Sequence, residues 1–178
     1  MVLDRPAQFK MNHKLVEFVQ DVDQAILVMR NAGRWLEESG KNPSKWWQLK
    51  NLNREFLFQY AEPREFYVAL FNKKPAAAAI LQINQKAQDW KSVDGNNLQL
   101  ALYIHWLCVH REFAGKGLPK VVINFASKLA KKNNIKLLRA DTNADEAKLC
   151  KIYEDLGFRL VATEQEDYRK TAFYQKEY

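Results

Sequence analysis

The run Leu98–Val109, Leu-Gln-Leu-Ala-Leu-Tyr-Ile-His-Trp-Leu-Cys-Val, restricts the fold more than any other segment. It is apolar and aromatic on both alternating registers, so as a strand it must be covered on both faces. That predicts a central, buried strand in a sheet flanked by helices. Directly after it come two glycines, Gly115 and Gly117, and then Leu118, Val121, Val122, Phe125, Ala126 and Leu129 at helical spacing. Strand, glycine loop and helix in that order predict a mixed α/β fold, with a mixed central sheet and helices on both faces.

The remaining elements follow from the same periodicities. A strand near Leu15–Val19 precedes an amphipathic helix over Asp21–Gly40, with Asp21 placed to cap it and Gly40 to stop it. A second, aromatic-rich helical stretch is predicted over Ser44–Gln59. Strands over Phe66–Phe71 and Ala76–Ile83 are joined by Asn72-Lys73-Lys74-Pro75, which reads as a four-residue hairpin turn. Beyond the helix at Leu118, Asn133-Asn134 marks a stop and Ile135–Ala140 a short strand. A helix over Ala144–Leu156 sets Leu149, Cys150, Tyr153 and Leu156 on one face and ends at Gly157. Strands near Phe158–Thr163 and Thr171–Lys176 finish the chain. Residues 1–13 read as a loose tail and 14–178 as a single domain.

Composition narrows the function classes. The 178 residues include 28 basic and 21 acidic, a formal charge of +7, which favours anionic ligands. The basic residues are scattered rather than striped with aromatics, which argues against nucleic acid as the partner. The start of the chain has no apolar signal region and no stretch reaches the roughly 18 apolar residues of a membrane span, so a cytoplasmic protein is expected. Two cysteines, Cys108 and Cys150, support neither a disulfide framework nor a metal site, and both read as buried thiols.

The junction from Leu107 to Lys120 is suited to an anion. Glycines let backbone approach a phosphate closely, and the first-turn amides of the helix point toward it. The spacing lacks Gly-x-Gly-x-x-Gly, and no Lys-Ser or Lys-Thr pair completes a nucleotide P-loop. The stretch Tyr103–Phe158 nonetheless resembles the acetyl-coenzyme A core of the GCN5-related N-acetyltransferases. Val109, Phe113 and Gly117 match the strand end and loop. Ala114 stands where the family usually has Arg or Gln, and Pro119 where it has Gly or Ala. In the second half, Asn143 and Tyr153-Glu154-Asp155-Leu156-Gly157-Phe158 are similar to the family's later signature.

That resemblance implies acetyl-CoA as cosubstrate, with no metal. It is held by Leu107, Cys108 and Val109 along the pantetheine arm, by Ala114, Gly115, Lys116, Gly117, Leu118 and Lys120 at the pyrophosphate, and by Asn143. It implies transfer of an acetyl group to the amine of a small molecule, amino acid or peptide by direct attack in a ternary complex. The alternative is an inactive acyl-CoA-binding sensor, suggested by Ala114 and Pro119. Tyr153 is the implied donor to the leaving thiolate, or else a core aromatic. His105 is the candidate base, or else a histidine satisfied within the strand, and counting by twos puts it on one face with Tyr103, Leu107 and Val109. Asn143 contacts the cofactor or caps the next helix. Trp35, Trp46, Trp47 and Phe56, together with Tyr103, are candidates for the acceptor pocket. The terminal strands offer edges on which a second copy could pair.

Overall fold

The computed structural model describes residues 6–11, 14–40, 44–83, 90–167 and 169–177. The chain resolves into two compact units, one within Met1–Leu81 and Trp106–Phe125, the other within Gln82–His105 and Ala126–Tyr178. Each is described separately.

In the first unit, β1 (Ala7–Met11), β2 (Lys14–Gln20), β3 (Phe66–Phe71) and β4 (Lys74–Gln82) pair antiparallel in that order. Between β2 and β3 lies α1 (Val22–Glu38), whose start is fixed by the Asp21 carboxylate accepting the Gln24 amide at 2.9 Å. Ala25, Val28 and Met29 of α1 pack with Phe66 and Val68 of β3, Ala78 and Ile80 of β4, and Cys108. Tyr67 lies between Phe66 and Val68 and so points to the opposite face, where its ring meets Phe125 at 5.4 Å. Phe125 belongs to α4 (Leu118–Lys132), which begins in this unit and ends in the other. These four strands are thus covered on both faces, by α1 on one and by Phe125 on the other.

Three expectations need correction here. The expected loose tail of residues 1–13 contains β1, because Phe9 alternates inward onto Phe18 at 5.3 Å and Phe125 at 5.9 Å. The rest of that tail, apart from Pro6, lies outside the described residues. The turn at Asn72 is tighter than expected. Asn72 and Lys73 alone occupy left-handed backbone, φ 51° and 61°, and Phe71 pairs with Lys74, so Lys74 and Pro75 already belong to β4.

The helix expected over Ser44–Gln59 is instead two 3-10 turns, Lys45–Trp47 and Leu49–Asn51, followed by the single turn α2 (Arg54–Leu57). Asparagines interrupt it. The Asn51 amide donates to the Lys45 carbonyl at 2.7 Å, and Asn53 donates to the Lys50 carbonyl at 2.6 Å while accepting the Phe56 amide at 2.9 Å. Gly33 accommodates this segment on α1, since a Cβ there would sit 2.7 Å from Leu52 Cδ1 and 2.9 Å from the Trp47 carbonyl.

The second unit contains α3 (Lys91–Asp94), β5 (Ala101–Val109, which finishes in the first unit), β6 (Leu137–Asn143), α5 (Ala147–Asp155), β7 (Arg159–Gln165) and β8 (Lys170–Glu177). β6 runs parallel to β5, while β8 is antiparallel to both β6 and β7. β6 extends to Asn143, three residues past the expected end, because Asp141, Thr142 and Asn143 pair with Phe173, Ala172 and Thr171. Of the face predicted for α5, Tyr153 is buried but Leu149 is 45% exposed. Among the described residues no helix is long and apolar enough to cross a membrane.

The interior of this unit is built around a charge. The guanidinium of Arg139 is gripped by both oxygens of Asp94 at 2.7 and 2.6 Å, donates to the Tyr103 hydroxyl at 3.2 Å and to Gln175 at 2.9 Å, and lies 4.6 Å from the Trp90 ring. The two charged side chains are 1% and 2% exposed. Burial opposes the charge on Arg139, but its bonds to Asp94 and Tyr103 outweigh that and hold it protonated more firmly than an exposed arginine. Asp94→Ala should therefore lower unfolding stability by about 3–5 kcal/mol, because it strands a buried cation. Urea denaturation read by tryptophan fluorescence checks this.

Candidate functional site

The first unit carries the glycine loop. The His110 amide donates to the Ala76 carbonyl at 2.9 Å, and a 3-10 turn over Arg111–Phe113 follows. That turn is tied to α1: the Arg111 amide donates to Asn31 Oδ1 at 2.8 Å, and its guanidinium stacks 3.9 Å over Trp35. Phe113 is buried against Phe71 and anchors the loop. The amides of Ala114 and Lys116 are used internally, donating to the carbonyls of Arg111 and Phe113. Those of Gly115 and Gly117 make no backbone bond among the described residues. Both glycines have positive φ, 75° and 77°, with open space where a Cβ would stand, so they are needed for backbone hand rather than for room.

Ala114, Gly115, Lys116, Gly117 and Lys120 are exposed, while Leu118 is buried. Pro119 falls at the second helical position, where an amide hydrogen would have no partner within the helix. The loop thus offers two amides with no backbone partner among the described residues, the positive end of a helix and two exposed lysines. It fits an anion such as a pyrophosphate.

The strand leading into the loop departs from simple alternation. Trp106 has φ 47°, a left-handed value that a bulky side chain rarely adopts. Cys108 is buried with its sulfur on the Ala78 backbone, and burial pushes its thiol up to about 12. It is inert as a nucleophile at neutral pH.

The Trp106 indole donates to the Trp46 carbonyl at 3.0 Å, and its ring lies 5.7 Å from Trp46 and 6.2 Å from Tyr60. Phe56 completes this cluster against Trp46 and Tyr60. Trp46 and Phe56 are thereby brought together. Trp35, under Arg111, and Trp47, in the core beside α1, have separate surroundings.

The second unit holds the titratable groups. The β5–β6 ladder runs from Ala101↔Leu137 to Ile104↔Ala140 and ends there. At the next position His105 Nδ1 stands 3.5 Å from Asp141 Oδ1. The other oxygen of Asp141 accepts from Arg169 at 2.7 Å. Burial raises the affinity of the Asp141 carboxyl for its proton, but the bond and charge of His105 and the charge of Arg169 outweigh this and hold it at about 2.

Tyr103 stacks parallel to His105 at a centroid distance of 6.3 Å and is bonded to Arg139 rather than turned toward a ligand. Tyr153, on α5, is buried between Phe158 and Tyr174, each ring centre at 5.5 Å. Burial first, then the negative charges of Asp141 and Cys150, push its phenol well above the usual range, so it stays protonated. Asn143 Oδ1 accepts the Asp145 amide at 3.0 Å, closing the turn ahead of α5, whose own N-cap is Glu146. Cys150, expected to be buried, is half-buried, with its sulfur 3.7 Å from the Asn143 carbonyl.

Asp141 and Arg169 were not among the residues picked out by motif. Extending β6 to Asn143 would have shown Asp141 beside His105. Nothing local singles out Arg169, which is 28 residues away.

Comparison with known proteins gives the class to which this fold and loop belong. Residues 32–158 match the model of the Acetyltransferase (GNAT) family, and the chain belongs to that family. It is 22% identical over 153 residues to the uncharacterized N-acetyltransferase YesJ of Bacillus subtilis (strain 168), covering 84% of this chain and 82% of that one. Its fold is similar to that of a GNAT-family acetyltransferase from Listeria monocytogenes 4b F2365, with TM-score 0.74, 22% identity, and 97% and 100% of the two chains covered. It is also similar to the PaiA N-acetyltransferase from Thermoplasma acidophilum in complex with coenzyme A, with TM-score 0.66, 18% identity, and 92% and 99% covered.

The depressed acidity of Asp141 has a measurable sign. Its folded value of about 2 lies below the ordinary value near 3.9, so its stabilisation is present above pH ~4 and lost as pH falls through about 2. Asp141→Asn should remove about 2 kcal/mol of the stability difference between pH ~5 and pH ~2. Denaturant melts across that interval test it.

Proposed function

We infer that the protein is an acetyl-CoA-dependent N-acetyltransferase that transfers an acetyl group to the amine of a small molecule, an amino acid or a peptide by direct attack. The observation that carries this is the Ala114–Gly117 loop: two left-handed glycines, their amides without a backbone partner among the described residues, at the start of α4 in a chain of the GNAT family. The coenzyme A complex of the similar PaiA enzyme supports the same ligand class.

Gly115, Gly117, Leu118 and Lys120 would hold the pyrophosphate through amides and charge, with Lys116 adding a second cation beside Phe113. Leu107 to Val109 would run along the pantetheine arm, and Asn143 would serve it only through the amide nitrogen left after capping. When bound, acetyl-CoA supplies an activated acetyl thioester. His105 takes a proton from the acceptor's ammonium, leaving a neutral nucleophile. Tyr153 gives its phenolic proton to the departing sulfur as the carbon–sulfur bond breaks. The second proton that the amine sheds on acylation restores the phenol, so one proton is released overall. With Cys108 held as an inert thiol, no covalent acyl-enzyme is needed.

The acceptor's surroundings are assigned to the half-buried rings of Trp46, Phe56, Tyr60 and Trp106 rather than to Trp35 and Trp47.

Calorimetric titration with acetyl-CoA should give saturable binding, and its absence would sink the reading. Tyr153→Phe should keep that binding while slowing release of free coenzyme A in an amine panel about 100-fold. Gly117→Ala, which forces a side chain into left-handed backbone, should weaken acetyl-CoA binding several-fold without altering the fold.

A further inference from the structure

We propose that Asn31 and Trp35 of α1 are positioning residues for acetyl-CoA, acting together through Arg111 to hold the Ala114–Gly117 loop in its binding geometry before the cofactor arrives. The inference rests on the reading of that loop as the pyrophosphate cradle.

The loop's own bonds do not fix where it stands. The amides of Ala114 and Lys116 donate to the carbonyls of Arg111 and Phe113 at 3.1 and 3.4 Å, so the loop is closed on the Arg111–Phe113 turn and goes where that turn goes. Gly115 and Gly117 have the widest backbone freedom of any residue type. Such a loop binds well only if the turn beneath it is already held, because ordering it on binding draws on the free energy of association.

The face of α1 supplies that hold at two points on one residue. Asn31 and Trp35 are four positions apart in the helix and so are neighbours on its surface. Asn31 Oδ1 accepts the Arg111 amide at 2.8 Å, and the Arg111 guanidinium lies 3.9 Å over the Trp35 ring. Backbone and side chain of Arg111 are thus gripped from the same helix, and the Arg111 carbonyl passes the constraint directly to Ala114.

The support is itself firm. The Asp21 cap fixes the start of α1, and Ala25, Val28 and Met29 are buried against β3 and β4. The far side of the turn is fastened to the β3–β4 hairpin, where Phe113 meets Phe71 at 5.8 Å and Glu112 forms an ion pair with Lys74 at 3.5 Å. The corner at Arg111 is the part that α1 holds.

Arg111 is exposed and basic, four residues before Gly115, and its charge alone would suit direct pairing with a phosphate. The two roles give opposite expectations. If Arg111 paired with the anion, releasing it from Trp35 would strengthen binding. As the gripped corner of the turn, it weakens binding when released.

Calorimetry with acetyl-CoA and NMR of the ¹⁵N-labelled full chain form the test. Asn31→Ala should weaken acetyl-CoA binding about fivefold. Trp35→Leu should weaken it about threefold, while Trp35→Phe, which keeps a ring face for the guanidinium, should stay within about twofold of wild type. Without cofactor, the amide signals of Gly115 and Gly117 should shift or broaden in Asn31→Ala and Trp35→Leu, and that of Gly157 in the other unit should not, which separates a loop effect from loss of the fold. Unchanged affinity and unchanged glycine signals in Asn31→Ala, or tighter binding by Trp35→Leu, would overturn the proposal.

One arm needs no variant. In the cofactor-free wild-type protein the Arg111 amide should be protected from hydrogen exchange by Asn31, and exchange at the rate of an open chain refutes the grip. Failure of the wild-type protein to bind acetyl-CoA would instead remove the cradle reading, and with it the cofactor that Asn31 and Trp35 position, whereas wild-type binding untouched by Asn31→Ala removes the positioning role alone.

Discussion

The ending of the parallel β5–β6 ladder at Ile104↔Ala140 is the constraint on which the second unit's chemistry depends. Up to that point the two strands satisfy each other's backbone and bury Ala101–Ile104 completely. One residue later the same strands confront each other through an imidazole and a carboxylate. β6 nevertheless continues in register with β8 to Asn143, so Asp141 stays held in the sheet beyond the last β5–β6 pair.

Two arginine–carboxylate pairs in this unit show how the same chemistry serves opposite ends. Arg139 and Asp94 satisfy each other through two short bonds, with Tyr103, Gln175 and Trp90 filling the remaining positions. Such a saturated pair stabilises only as a whole and has nothing left to offer a ligand. Arg169 takes a single oxygen of Asp141, and the second oxygen is left to a titratable ring. The link between the two pairs is Tyr103, which is bonded to the first and stacked on the histidine of the second.

In the first unit the governing feature is the local hand of the backbone. Left-handed Trp106 interrupts the strand, and left-handed Gly115 and Gly117 shape the loop. At the glycines this costs little. At Trp106 it is compensated by an indole hydrogen bond and by the rings of Trp46 and Tyr60. The segment over 44–60 supplies those neighbours because its asparagines break it into short turns, where a continuous helix would set Trp46 about 15 Å along its axis from Phe56.

The sequence by itself determined the elements whose signals are local. Asp21 capping α1, the apolar period of α4, the burial of Ala101–Ile104 and the glycines before Leu118 were all legible, because capping, amphipathicity and backbone freedom act within a few residues, whereas Leu98 and Leu100, expected in the same buried strand, precede it and are 58% and 60% exposed. The tight turn at Asn72, the broken helix over 44–60 and β1 were misjudged for a related reason. At Asn72 it was the left-handed backbone of two residues, over 44–60 the asparagine side-chain bonds, and at β1 the packing of Phe9 on distant rings that outweighed the local pattern. Tyr153 and His105 could be picked out by motif, but what surrounds them could not. Asp141 faces His105 only because a parallel pairing places β6 beside β5, and Arg169 reaches Asp141 only because β8 brings the preceding turn alongside. Long-range pairing decides such contacts, and no spacing along the chain encodes them.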